Sequence, residues 1–145
     1  MADTTITSAN ANLTLVVPGL ALGPAKIGGY SSDKAFATEA LDFAEINMGV
    51  DGRMTAGYIF NPVKQTITLQ ADSPSRDFFK AIIQAMKTAR EVFYISGSLA
   101  LPSTGEAFTM RRGILTNGKQ IADAMKTLQA VDVIITWEGV DPSLL

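Results

Sequence analysis

In 145 residues there is neither a cysteine nor a histidine. The first absence excludes disulfides, a thiolate nucleophile, cysteine-based zinc sites and iron–sulfur clusters. The second removes the commonest general base and the commonest ligand of catalytic zinc, copper and non-haem iron. Charge is scarce as well: 18% of the residues are charged, and 12 Lys and Arg against 14 Asp and Glu leave a net charge of −2. No cluster of bases is present that could neutralise a row of phosphates, which argues against tight nucleic-acid binding. No apolar run reaches the 18 or more residues of a membrane span. The first twelve residues, MADTTITSANAN, have neither a basic region nor an apolar stretch of the secretory kind, so they read as a polar arm of a protein made in the cytoplasm.

What is present is apolar and β-favouring. Hydrophobic residues make up 47% of the chain, enough for one core in a single domain over 1–145, with apolar surface left over for self-association. From Asn12 to Val17, Leu13, Leu15 and Val17 alternate with Asn12, Thr14 and Val16, the pattern of a half-buried strand. The stretch GLALGPAKIGGYSS that follows carries four glycines and a proline, and predicts a loop or irregular edge. Its glycines run into Tyr30 and two serines, not into the Lys-Ser/Thr and helix of a phosphate cradle.

Residues 36 to 48, FATEALDFAEINM, mix β-favouring and acidic residues on both faces, and Asp51-Gly52 supplies a tight turn into the returning strand MTAGYIF. After the Asn61-Pro62 turn, VKQTITL places Val63, Ile67 and Leu69 on one face and Lys64, Thr66 and Thr68 on the other. Ser73 and Pro74 suit an N-cap and first helical position, and Phe78, Phe79, Ile82, Ile83, Ala85, Met86 and Ala89 share one sector opposite Lys80, Gln84 and Lys87. An amphipathic helix over about 74–91, packed on a sheet, is the prediction. VFYIS and EAFTMRRGIL form a second hairpin about a turn at Pro102 to Gly105, and Asn117-Gly118 is a further turn. A loop or short helical turn near 120–126 and a last strand from about 128 to 138 complete the reading. Trp137 falls at the inward parity of that strand, and Asp141-Pro142 releases a tail over about 139–145.

The predicted fold class is therefore mainly β (α+β): an antiparallel β-sandwich or barrel with one packed helix, an N-terminal arm over about 1–11 and the short C-terminal tail. With no His or Cys, catalysis would fall to carboxylates, Lys, Tyr or Ser. Asp42 and Glu45, three apart in an expected strand, point to opposite faces, which disfavours a glycosidase pair. The reading is of a non-enzyme with no catalytic residue, metal site or cofactor. Acids gather in two segments: Asp33, Glu39, Asp42, Glu45 and Asp51 against one lysine, and Asp132, Glu138 and Asp141 with no base. Such segments are either solvated faces or a weakly negative wall that repels a passing polyanion. Arg111-Arg112, the only basic pair, is a candidate for ion pairing with an acidic neighbour in an assembly.

The run MGVDGRMTAGYIFNPVKQTITLQADSPS, Met48 to Ser75, resembles a segment of the tail tube proteins of long-tailed, contractile phages. A Gly-x-Asp-Gly hairpin precedes a strand, an Asn-containing bend leads into a Thr-Ile-Thr-Leu strand, and Ser-Pro-Ser opens the single helix. The order of elements is similar from about residue 12 to 138, with the specific match between Met48 and Ser75. The resemblance implies a sandwich or barrel that forms hexameric rings stacked into a tube, the conduit for DNA ejected into the host. It makes Gly49, Val50, Asp51, Gly52 and Arg53 the tip of a ring-stacking hairpin and Glu39, Asp42 and Glu45 lumen candidates; beside them Arg111 and Arg112 stand, on their own chemistry, as inter-subunit ion-pair candidates. The partners it implies are further copies of the chain, tail sheath, baseplate and tail terminator proteins, a tape-measure protein in the lumen, and passing DNA without specific binding, all within a virion. Two other readings are a tube from a contractile injection or secretion machine and a monomeric, ligand-binding β-barrel.

Overall fold

A computed structural model describes residues 11–20, 22–28, 30, 36–102 and 104–143. Among these residues ten strands and one α-helix follow each other: β1 (Asn12–Val17), β2 (Leu22–Ile27), β3 (Phe36–Thr38), β4 (Ala44–Met48), β5 (Met54–Tyr58), β6 (Val63–Leu69), α1 (Arg76–Ala89), β7 (Ile95–Leu101), β8 (Glu106–Gly118), β9 (Val131–Trp137) and β10 (Gly139–Ser143), with a 3-10 turn at Pro18–Leu20 between β1 and β2. Eight of the strands form one sheet in the order β2-β1-β7-β8-β9-β6-β3, with β10 also paired to β8, while β4 and β5 pair only with each other. Every named pairing is antiparallel. The mainly β fold with a single helix is the one the sequence pattern predicts.

The alternation in β1, β6 and β9 determines what is buried. Leu13, Leu15 and Val17 from β1, Ile67 and Leu69 from β6, and Val133, Ile135 and Trp137 from β9 face one shared core, with intervening residues partly or wholly exposed. Gln65 also falls on the inward face of β6, and its burial is matched by its chemistry: Trp137 Nε1 donates to Gln65 Oε1 at 3.0 Å. A polar pair left unmatched at this depth would be strongly destabilising. The indole ring sits under two glycines, for a Cβ on Gly113 would lie 2.5 Å from Trp137 Cε3 and one on Gly97 would lie 2.9 Å from Cη2.

β8 is the strand that turns a flat sheet into a folded one. Gly97 pairs with Met110 and Ile95 with Gly113, so two steps on β7 span three on β8, and the extra residue is a bulge at Arg111-Arg112 with Arg112 at φ 43°. A second extra residue falls between Leu115 and Asn117 opposite β9. Bulges bend and twist a strand, which lets the first part of β8 pair with β7 and β10 and its last part with β9. The chain leaving β9 kinks alongside, with the Glu138 N–H donating to the Arg111 carbonyl at 3.0 Å.

Several expectations need correction. The Gly/Pro-rich stretch contains a strand, β2, whose Pro24 is tolerated because β2 is an edge paired on one side only. Residues 36 to 48 are two strands separated by irregular chain at 39–43, not one. Asn117-Gly118 lies inside β8, where the bulge absorbs it, and makes no turn. Residues 139–143, expected as a free tail, form β10 on β8. The expected strand VFYIS starts only at Ile95, leaving Val92 and Tyr94 exposed. The expected N-terminal arm lies outside the described residues except for Ala11, which is buried.

The helix is shorter than predicted, with Ser75 at the N-cap position, although turns at Ser73 and Pro74 lead into it through N–H bonds from Arg76 and Asp77. The two serines take on another task. Ser73 Oγ donates to the Gly28 carbonyl at 2.7 Å and Ser75 Oγ accepts the Gly28 N–H at 2.9 Å, so the exit of β2 is tied to the start of α1. Phe79 and Ile82 reach the core while Lys80 and Lys87 stay exposed, as the periodicity predicts.

Beside this tie, Tyr30 bridges to Leu69 and meets Phe36 edge to face with ring centroids 6.0 Å apart. Its hydroxyl is buried without a partner among the described residues, and burial pushes the phenol up to about 12 from 10.0. The neutral phenol is the form the fold accepts, so the unfolded chain releases this proton first. Tyr30 therefore contributes stability that is full below pH 10 and falls away as the pH rises towards about 12. Tyr30→Phe is expected to remove that part of the alkaline loss while leaving neutral-pH stability equal or higher. Urea denaturation of both proteins at pH 9 and pH 11 checks it; identical losses would contradict the assignment.

Candidate assembly surfaces

A five-residue strand either side of a tight turn owes its register here to backbone and side-chain bonds in the turn itself. The Gly49 N–H donates to the Arg53 carbonyl at 2.8 Å, the Gly52 N–H to the Gly49 carbonyl at 2.9 Å, and Asp51 Oδ1 accepts the Arg53 N–H at 3.1 Å. Gly52 has φ 84°, which a side chain would resist. The Gly-x-Asp-Gly run thus builds the predicted hairpin, with Met48 paired to Met54 and Ala44 to Tyr58.

What the sequence does not reveal is that this hairpin stands off the body. Every residue of β4 and β5 is exposed, among them Ile46, Met48, Met54 and Tyr58, and Val50 at the tip is fully so. Phe43 and Phe60 flank its base and are exposed too, with Tyr58 and Phe60 packed edge to face at 4.9 Å. A lone two-stranded hairpin is at best marginally stable in water, and a contiguous apolar surface of this kind marks an interaction site. The base borders a groove of about 950 Å³ lined by Leu41, Phe43, Phe60 and Val140 and rimmed by Glu39, Arg111, Glu138 and Asp141.

The three lumen candidates fall in different settings, all exposed. Glu39 follows β3, its N–H bonded to the Lys64 carbonyl at 3.1 Å; Asp42 lies in the irregular link, its carbonyl accepting Asn61 Nδ2 at 2.8 Å; Glu45 is in β4 opposite Gly57. Asp42 and Glu45 are thus not two faces of one strand.

Consecutive residues on a regular strand point apart, yet the bulge lets both arginines reach one carboxylate. Arg111 lies 3.6 Å from Glu138 and 2.7 Å from Asp141, Arg112 lies 3.2 Å from Glu138, and the Arg112 guanidinium covers the Tyr94 ring at 4.3 Å. Within the single chain both arginines already have acidic partners at the end of β9 and on β10. Their side chains are about half exposed, so each pair is worth at most about 1 kcal/mol and they orient β10 more than they stabilise it.

A second exposed apolar surface escaped the sequence reading. Ile121, Met125 and Leu128 have helical spacing, but the segment between β8 and β9 is an irregular excursion closed by an Ala124–Leu128 bridge and a Gln129 N–H bond to the Asp123 carbonyl at 2.8 Å. All three side chains are exposed. Its root is fixed to the helix, since Arg76 Nη2 donates to the Gln120 carbonyl and Lys87 Nζ to Gln120 Oε1, both at 2.9 Å.

Solved structures share this fold along nearly the whole chain. The sheath-tube complex of the extracellular contractile injection system PVC contains a chain with TM-score 0.67 at 8% identity, covering 99% of this chain and 95% of that one. The tube-terminating cap of the anti-feeding prophage gives TM-score 0.68 at 10% identity over 100% and 95%. The sheath/tube terminator of PVC gives 0.64 at 10% identity over 99% of both. No curated protein matches in sequence. The family model described as "Tail fiber protein gp32" matches residues 4–141, nearly the full length, and the chain belongs to that family of tail proteins.

Proposed function

We propose that this chain is a non-catalytic structural subunit of a phage tail tube, assembling into hexameric rings that stack into a conduit for DNA. The observation that carries the reading is the free-standing apolar hairpin, which has no burial of its own within one chain. The fold shared with chains of a sheath-tube complex, a tube-terminating cap and a sheath/tube terminator supports it. Closing strand edges of identical subunits into a ring satisfies their backbone groups, and a heterologous contact that does not close along the axis produces a filament. Glu39, Asp42 and Glu45, exposed near the hairpin root, would line the bore as a weakly negative wall that phosphate slides past. Gly49 to Arg53 would make the contact between rings. Sheath, baseplate, terminator and tape-measure proteins would be the partners, and the tail of a virion made in the host cytoplasm the location.

A second reading is a cap or terminator ring, favoured by the likeness to a chain of the tube-terminating cap, TM-score 0.68, which nearly equals that to a chain of the sheath-tube complex, 0.67. A tube subunit polymerises, whereas a terminator stops at one ring. Negative-stain microscopy of the purified protein is expected to show hollow tubes of constant diameter. Single rings at all concentrations would favour the terminator, and a monodisperse monomer by size-exclusion chromatography would overturn both.

A further inference from the structure

The two exposed apolar surfaces leave the sheet at opposite ends. In the β6–β9 pair, Val63 lies opposite Trp137 and Leu69 opposite Val131. The hairpin precedes Val63, so it departs from the first end, while the 119–130 excursion precedes Val131 and departs from the other. Six residue steps of strand separate the two ends, about 20 Å. We propose that the hairpin tip of one copy seats on the 119–130 excursion of the next copy, a head-to-tail contact along the tube axis. This rests on the tube reading and names the surface that receives the hairpin.

The chemistry of the surfaces matches. Met48, Val50 and Met54 project from one, and Ile121, Met125 and Leu128 from the other, all exposed in the single chain. From Ala44 to Tyr58 the charges are Glu45, Asp51 and Arg53, a balance of −1; from 119 to 130 they are Lys119, Asp123 and Lys126, a balance of +1. Lys119 is paired with Asp123, which leaves Lys126 to meet Asp51 or Glu45 of the neighbour. Both surfaces are also held in shape, the tip by its turn and the excursion by Gln120 bonded to Arg76 and Lys87. A twelve-residue connection without a regular element of its own is usually functional. Because the contact joins different surfaces of identical copies, it does not close after one pair and propagates.

The cysteine-free chain makes a direct test possible. Full-length protein carrying Val50→Cys and Met125→Cys is assembled, exposed to a mild thiol oxidant, and run on a non-reducing gel. Both side chains are exposed, so folding should be unaffected, and within one chain the two segments leave opposite ends of the β6–β9 pair, beyond disulfide reach of each other. The expected result is a ladder of covalent multimers from the double variant, with each single variant giving nothing beyond dimers. Lys126→Glu is expected to lower stacked assembly about tenfold, and Lys126→Arg to leave it intact. Tubes that form without a ladder would overturn this pairing while the tube reading stands. A double variant and parent that both stay monomeric would overturn the two together.

Discussion

Gly113→Ala is expected to destabilise the protein by about 3 kcal/mol, the upper part of the range for overpacking a filled core. The added methyl would lie 2.5 Å from Cε3 and 2.6 Å from Cζ3 of Trp137, with Ile135 Cγ2 at 2.9 Å. None of these atoms is the loose end of a flexible chain. The indole is fully buried and held by its bond to Gln65, so it cannot retreat without breaking that pair, and Ile135 belongs to the same strand. Gly113 follows directly on the bulge at Arg112, so a shift of the backbone there would also disturb the joint between the two parts of β8. Chemical denaturation measures the loss. In a Trp137→Phe background, where the second ring is gone, the same substitution should cost markedly less, and the difference is the coupling energy of a double-mutant cycle. Equal costs in both backgrounds would show that the tryptophan does not set the requirement for glycine.

The bulges also explain which parts of the fold were legible. Strands β1, β6 and β9 alternate without interruption on their buried faces, and the sequence reading identified their inward residues, Trp137 included. In β8 two inserted residues reset the parity, so EAFTMRRGIL alternates poorly although it is all strand, and Asn117-Gly118 resembles a turn it does not make. A bulge has no local signature when its positive-φ residue is Arg112 and not glycine. Residues 139–143 were missed for a related reason: Asp141-Pro142 is turn-like in composition, yet on an edge strand the missing donor costs nothing because β10 pairs with β8 alone.

The two exposed apolar surfaces are legible only in their chemistry. Gly-x-Asp-Gly specified a turn, and the turn is there, but whether a hairpin lies on the body or stands free depends on tertiary placement that periodicity does not carry. The loop expected near 120–126 is there, but the sequence does not display that Ile121, Met125 and Leu128 are all held outward on it. That Arg111 and Arg112 both reach Glu138 within the chain is equally illegible in the sequence, because a dipeptide does not display the bulge that turns them.

The second large effect separates stability from assembly. Met48 and Met54 face each other across the hairpin and are 65% and 56% exposed, so a single chain gains little from their burial. Met48→Ser with Met54→Ser keeps the register, because the turn is held by Gly49, Asp51 and Arg53 and not by these side chains. The melting temperature of the unassembled protein is expected to change little. Assembly is another matter: each methionine buried in a contact contributes about 1.5–3 kcal/mol. Losing two weakens each junction by at least about 3 kcal/mol, roughly a hundredfold in its dissociation constant. On the tube reading the loss recurs at every subunit of a ring, so stacked tubes are expected to vanish at concentrations that suffice for the parent, as read by sedimentation and electron microscopy. If tubes persist while the variant folds normally, the hairpin is not the element that joins rings. If the melting temperature collapses together with assembly, its methionines serve the single chain after all.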